Sequence, residues 1–184
     1  GDAGPDWGLE NIRADIAWRH PLSRQGKAVG VLDMGFSIHN DLPLWDLPGS
    51  VQAADHGNHV AGILCANHDQ IGTSGVLPKC LVVARAPDFS TQTDLFGIDA
   101  DTMVDVMIAF SEIVQNRNDI KAINISIGYN WWKKGDPTKL TDDQKRDIAN
   151  LGVQAAGAYR LAKERGIFIV SAAGNDSWGL DPKF

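Results

Sequence analysis

The chain has 184 residues, of which 43% are hydrophobic and 22% are charged, a composition typical of a globular domain rather than of a disordered or fibrous chain. Its 17 Lys and Arg residues against 23 Asp and Glu residues give a formal net charge of −6, which argues against a nucleic-acid or anionic-membrane surface. No uninterrupted apolar stretch reaches the ~18 residues of a membrane span.

Apolar runs alternate with helical patterns along the chain, which predicts parallel strands joined by crossover helices. The first element is one short amphipathic helix, marked by Leu9, Ile12, Ile16 and Ala17. Val- and Ile-rich runs predict strands over 28–32, 81–85, 122–127 and 167–172, and helical spacing predicts helices over 101–116 and 144–165. Residues 129–143 are predicted to form a surface insertion. We therefore expect one α/β domain over residues 1–184, a doubly wound, mostly parallel sheet with helices on both faces.

Two cysteines, Cys65 and Cys80, are too few for a disulfide scaffold, and their spacing is not that of a zinc knuckle. One bridge and two buried free thiols both fit the sequence. The cysteine content therefore does not decide the cellular compartment.

Polar residues follow the predicted strands where ligands bind in open parallel sheets, beyond the carboxyl ends. Asp33 follows the first strand, and Asn175 follows the last. His56 precedes small residues that suit the start of a tightly packed helix. An acid, an imidazole and a carboxamide can thus converge at one edge of the sheet.

These segments resemble the motifs of the subtilisin-like serine proteases, the subtilases. Residues 29–35 resemble the family's aspartate motif, and residues 56–62 resemble its histidine motif. Residues 124–128 resemble the strand that pairs with substrate, and residues 171–175 resemble the strand that ends in the oxyanion asparagine. The motifs occur in the family's order, and the chain is similar to the N-terminal two-thirds of the catalytic domain, incomplete at its C-terminus.

The resemblance implies a role for each matching residue. Asp33 would orient His56, and His56 would take the proton from a serine hydroxyl. Asn175 would donate its side-chain amide to the oxyanion of the tetrahedral intermediate. The substrate-binding residues Ser126, Ile127 and Gly128 would then bind substrate backbone as an added strand.

The serine nucleophile of this family lies beyond the oxyanion asparagine, whereas the present sequence ends at Phe184. Ser74 stands in a similar local sequence, Gly72-Thr73-Ser74, but a strand pattern follows it instead of a helix, so we reject it as the nucleophile. We expect the serine in a C-terminal segment beyond residue 184, on a second chain or further along the same one. Residues 1–184 alone are then expected to be inactive and unstable.

Two parts of the sequence are candidates for a metal site. His56 and His59 have no Glu at the metalloprotease spacing and no evident third ligand, which disfavours zinc. Asp41 and the loop 67–72 occupy positions that resemble a subtilase calcium site, although the loop sequence departs from the pattern. A structural calcium ion therefore stays open, and the chemistry itself needs no cofactor.

The resemblance implies a serine endopeptidase that acts on polypeptide substrates through an acyl-enzyme. Two alternatives belong to other classes: a non-catalytic subtilase-like domain that binds peptides or partners, and a small-molecule-binding α/β module. The small-molecule alternative is disfavoured because no Gly-rich phosphate loop follows the first predicted strand. Residues 1–6 lack the features of a signal peptide, and secretion is expected from the family, with an intracellular location left open. The sequence indicates neither cleavage specificity nor oligomeric state.

Overall fold

The computed structural model describes residues 7–45, 54–88, 100–127 and 140–174. The strands in these ranges are β1 (Lys27–Leu32), β2 (Leu44–Trp45), β3 (Cys80–Arg85), β4 (Ile120–Ile125) and β5 (Phe168–Ser171). The α-helices there are α1 (Trp7–Asn11), α2 (Ala14–Trp18), α3 (Ala54–Cys65), α4 (Ala100–Asn116) and α5 (Asp142–Glu164), and residues Pro21–Arg24 form a 3₁₀ turn. The strands lie in one sheet in the order β2-β3-β1-β4-β5, and each observed pair is parallel.

Alternate residues of the central strand β1 point to two separate cores. Val29 and Val31 pack in a cluster that contains Ala61 and Cys65 of α3. Leu32 packs in a second cluster, whose helical members include Phe110 and Ile113 of α4 and Ala162 of α5. Helix α3 thus covers one face of the sheet, and α4 and α5 cover the other. The predicted doubly wound architecture is confirmed.

Two predictions about the strands need adjustment. Strand β4 begins and ends two residues before the predicted range 122–127, and beyond Ile125 the Ser126 amide keeps one hydrogen bond to β1, to the Leu32 carbonyl. Strand β2 was not predicted, since Leu44 and Trp45 alone are too short to show a period of two.

The single N-terminal helix predicted from Leu9 to Ala17 is wrong. The helix breaks at Arg13, whose φ of 58° is left-handed, and two short helices result. Ile12 and Ile16 remain 61% and 49% exposed. Their helical spacing therefore does not mark a buried face, and the prediction of one helix was wrong for this reason.

Helix α5 begins two residues before the predicted boundary because Thr141 caps it. The Thr141 hydroxyl accepts from the Gln144 amide, and the Gln144 side chain accepts from the Thr141 amide, a complete capping box. The helix ends before Gly166, whose φ is 70°, as helices commonly do. Of the insertion predicted over 129–143, residues 129–139 lie outside the described ranges.

Cys65 and Cys80 form a disulfide, with their Cα atoms 5.2 Å apart. The bridge joins the last residue of α3 to the first residue of β3, and it settles the choice between a bond and two free thiols. None of the helices in the described ranges combines the length and the apolar character needed to cross a bilayer.

Candidate active site

Asp33 lies at the carboxyl end of β1, between two neighbouring strands, and its side chain is completely buried. Its amide donates to the carbonyl of Arg85 at the end of β3 over 3.1 Å, so the backbone is fixed by the sheet. One carboxylate oxygen, Oδ1, accepts from the Met34 amide at 2.7 Å and from His56 Nδ1 at 2.7 Å. The other, Oδ2, is buried and has no hydrogen-bond partner among the described residues.

His56 lies in the first turn of α3, and its side chain is 58% exposed. Because Nδ1 donates to Asp33, the neutral ring carries its proton there and leaves Nε2 as the basic nitrogen. A buried carboxylate beside Nδ1 also stabilises the imidazolium that forms when Nε2 takes a proton. The structure therefore brings the predicted pair Asp33 and His56 into direct contact.

The close approach of α3 to the loop after β1 depends on the absence of a side chain at Gly57 and on hydrogen bonds between two side chains. A Cβ atom at Gly57 would lie 2.0 Å from the carbonyl oxygen of Gly35, so the two backbones touch. Next to this contact, Asn58 Oδ1 accepts from the Ser37 amide at 3.1 Å, and Asn58 Nδ2 donates to Ser37 Oγ at 2.8 Å. These positioning contacts were not predicted, although small residues beside both Asp33 and His56 are their signal in the sequence.

The end of β4 lies beside Asp33. The Ser126 amide donates to the Leu32 carbonyl over 3.0 Å, and Asn124 Nδ2 donates to Ser126 Oγ over 2.8 Å. Ile127 packs against the core beneath α4. Two of the three predicted substrate-binding residues are thus held at the site's edge of the sheet.

Two predicted site residues, Gly128 and Asn175, lie outside the described residues. Strand β5 does reach the same edge, because the Ala172 amide donates to the Ile125 carbonyl over 3.0 Å. Ser74 lies in the loop before β3 and opens no helix, in line with its rejection as the nucleophile.

Arg85 is a buried cation close to this edge, 3% exposed. Its Nε donates to Glu112 of α4 at 3.2 Å, and its Nη1 donates to the Ala84 carbonyl at 2.9 Å. Pairing satisfies the guanidinium, which could not be buried alone without a large desolvation cost. The pair attaches α4 to the carboxyl end of β3.

Possible metal ligands are sparse. Over the ranges described, no three His, Cys, Asp or Glu side chains come together in a group that could hold a metal ion. His59 belongs to no such group among these residues.

The parallel sheet brings a buried aspartate and an exposed histidine together at its carboxyl edge, an arrangement also found in serine hydrolases of the subtilisin type. The comparison with protein families then identifies the family: the subtilase family model matches residues 24–183. The chain belongs to the subtilase family.

Two relatives agree with this assignment. The chain is 30% identical over 183 residues to minor extracellular protease Epr of Bacillus subtilis, covering 94% of this chain and 24% of that protein. It is 27% identical over 180 residues to subtilisin Savinase of Lederbergia lenta, covering 94% of this chain and 56% of that protein.

Two solved structures show the same fold. The prenylagaramide maturation protease PagA is 23% identical with a TM-score of 0.58, over 89% of this chain and 51% of that one. MycP1 from Mycobacterium smegmatis is 20% identical with a TM-score of 0.59, over 97% of this chain and 49% of that one. The chain thus spans about half the length of these two proteases, and between a quarter and about half of the two relatives above.

Proposed function

We propose that the complete protein is a serine endopeptidase that cleaves polypeptides through an acyl-enzyme. The observation that carries the proposal is the 2.7 Å contact between His56 Nδ1 and the buried carboxylate of Asp33. This contact fixes the tautomer with a basic Nε2, which is what a general base for a serine hydroxyl requires. Asp then His is also the order of the subtilisin-type triad, in which the serine comes last.

The serine would come from a segment beyond residue 184, as further residues or as a second chain. Its Oγ would attack the scissile carbonyl while His56 takes the proton, and the same proton would pass to the leaving amine. Asn175 would donate to the oxyanion, and Ser126, Ile127 and Gly128 would pair with substrate backbone as an added strand.

Exposed apolar residues on strand β5 support the proposal that a further segment of chain completes the domain. Phe168 and Val170 of β5 are 70% and 47% exposed, and they register with Ala122 and Asn124 of β4. Ala122 packs on the α3 side, so these side chains face the side on which His56 lies. A helix placed over this strip would cover apolar surface and begin near His56, and without it we expect aggregation.

We also propose that the protein acts outside the cytosol. The Cys65–Cys80 disulfide supports this, because such bonds persist in oxidising compartments. Epr, the relative reported above, is described as extracellular.

Cleavage of a fluorogenic peptide by the complete gene product tests the enzymatic proposal. We expect His56→Ala to lower kcat by a factor on the order of 10⁶, the loss known for a subtilisin histidine. His59→Ala is the matched control, because it removes the same ring three residues along α3 and is expected to keep full activity. Equal kcat in the wild type and His56→Ala would refute the proposal.

A non-catalytic domain that binds peptides along residues 126–128 is the second candidate. The half-buried backbone of Ser126 and Ile127, which continues past the end of β4, favours it as a docking strand. It predicts saturable binding of peptides that are recovered intact, with the same affinity in His56→Ala as in the wild type. Turnover by the wild type would exclude it.

A further inference from the structure

The disulfide between Cys65 and Cys80 borders a surface cavity at the amino ends of the strands, the opposite end of the sheet from the candidate active site. The cavity has a volume of about 440 Å³, and both cysteines line it. Cys65 is only 1% exposed, whereas Cys80 is half-buried. Cys80 is therefore the more accessible of the two cysteines.

This cavity is basic, although the whole chain has a net charge of −6. Its charged lining residues in the described part of the chain are three cations and one acid: Lys27, Lys79, Arg117 and Asp119. Arg117 Nε donates to Asp119 Oδ1 at 2.7 Å, so the acid is neutralised by its own partner. The two lysines then leave the cavity with a positive charge.

Lys27 lies on the same face of the sheet as the bridge. It is the partner of Cys80 in the register of β1 and β3, and such partners lie on strands about 4.8 Å apart with their side chains on one face. Val29, two positions further along β1, packs in the same cluster as Cys65. The Lys27 amide also donates to the Lys79 carbonyl over 3.1 Å, which holds both lysines beside Cys80.

We propose that the Cys65–Cys80 bridge is an exchange site for small anionic thiols such as glutathione, and that Cys80 carries the sulfur that is attacked. The attacking species in thiol–disulfide exchange is a thiolate, and the positive field of the lysines raises its local concentration. Because both cysteines line the cavity, the negative charge stays near the same cations as it passes from the incoming sulfur to Cys65.

The exchange is a nucleophilic substitution at sulfur. The incoming thiolate forms a bond to Cys80 Sγ, the bond between the two Sγ atoms breaks, and its electron pair leaves with Cys65 Sγ, which takes a proton from water. A second thiolate then attacks the small-thiol sulfur of the mixed disulfide, which frees Cys80. Two small thiols are thereby oxidised to their disulfide, and one bridge is reduced to two thiols.

This chemistry acts on the helix that carries His56. Cys65 is the last residue of α3, and Cys80 is the first residue of β3, so opening the bridge detaches the end of the helix from the sheet. It also opens a loop that spans 15 positions of the sequence, which stabilises the folded chain while it is closed. The bridge stays closed where thiols are scarce and opens where they are abundant.

The rates at which glutathione and cysteamine open the bridge in the folded, complete gene product test the proposal, because the first thiol is anionic and the second is cationic. Each rate is divided by the rate of the same thiol with hydroxyethyl disulfide, a neutral reference, at low ionic strength. One cation about 4 Å away changes the rate of a charged thiol by about 5-fold in water. We therefore expect the corrected rate of glutathione to exceed that of cysteamine by at least about 5-fold.

Trapping with N-ethylmaleimide and peptide mapping by mass spectrometry locate the exchange. We expect glutathione on Cys80 and N-ethylmaleimide on Cys65. An adduct of glutathione on Cys65, or a bridge that reacts only after unfolding in urea, would overturn the proposal.

The double variant Lys27→Gln, Lys79→Gln tests the role of the cations. We expect its ratio of corrected rates to fall towards one. Lys163→Gln is the matched control, because it removes an exposed lysine from α5, which covers the other face of the sheet, and it is expected to keep the wild-type ratio. A wild-type ratio of one, or an unchanged ratio in the double variant, would contradict the proposal. These readouts are rates and adducts of the bridge, so they do not depend on the proposed protease activity.

Discussion

The contact between Gly57 and Gly35 makes a sharp prediction about the active site. In Gly57→Ala the new methyl group would meet the Gly35 carbonyl oxygen at 2.0 Å, against 3.4 Å for an ordinary contact. Helix α3 must then move away by about 1.4 Å. The hydrogen bond between His56 and Asp33, now 2.7 Å, would open beyond the ~3.2 Å limit of a useful bond.

We expect Gly57→Ala to reduce kcat/KM by roughly 10²-fold, the effect of a misplacement of about 1 Å, and by up to 10⁴-fold if Asp33 no longer orients the imidazole. The smaller loss corresponds to about 2.7 kcal/mol of transition-state stabilisation. Overpacking should also lower the free energy of unfolding by about 1–3 kcal/mol.

Peptide cleavage by the complete gene product measures the first effect, and urea unfolding measures the second. Gly62→Ala is the control, because a Cβ at that position of the same helix meets only Leu42, at 3.8 Å. Alanine is also the better helix former, by about 1 kcal/mol. Wild-type kcat/KM and stability in Gly57→Ala would refute the argument that this contact positions His56.

Three further predictions concern the disulfide, a helix cap and a buried ion pair. Replacing both Cys65 and Cys80 by Ala should lower the free energy of unfolding by about 3 kcal/mol, since the bridge closes a loop of about 15 residues. Calorimetry should then show a Tm lower by roughly 6–12 °C. An unchanged Tm would mean that the bridge does not constrain the chain. Thr141→Ala should lose about 1 kcal/mol of stability in urea unfolding while Thr141→Ser keeps it, and equal losses in both would contradict the capping box. Arg85→Met should lower the free energy of unfolding by about 1–3 kcal/mol through lost buried hydrogen bonds and the unpaired Glu112, whereas a gain would show that desolvation outweighs the pairing.

The sheet could be predicted from the sequence because its central strands are buried on both faces. Strands of that kind are continuous Val and Ile runs, and Val31 and Leu32, which face opposite cores, are both 0% exposed. Strand β2 is different: it consists of two half-buried residues, too few to carry a pattern. The prediction for the N-terminal segment was wrong for another reason. The left-handed φ of Arg13 breaks the helix, and the spacing of hydrophobic residues does not reveal it.

The Asp33–His56 pair could be predicted from the family motifs, but the means of its assembly could not. The close approach of Gly57 to the Gly35 carbonyl and the hydrogen bonds between Asn58 and Ser37 join residues about twenty positions apart in the sequence. The periodic spacing of hydrophobic residues, or a local motif, describes only residues that are close to one another in the chain. The disulfide was undecided for the same reason, because it depends on where α3 ends relative to the first residue of β3.

Labelling with a fluorophosphonate probe tests the central claim most directly. A serine Oγ activated by His56 attacks phosphorus and displaces fluoride, and peptide mapping by mass spectrometry locates the adduct. In the complete gene product we predict one labelled serine outside residues 1–184, with labelling abolished in His56→Ala and kept in His59→Ala. An adduct on Ser74, labelling that persists in His56→Ala, or no adduct at all would contradict the account.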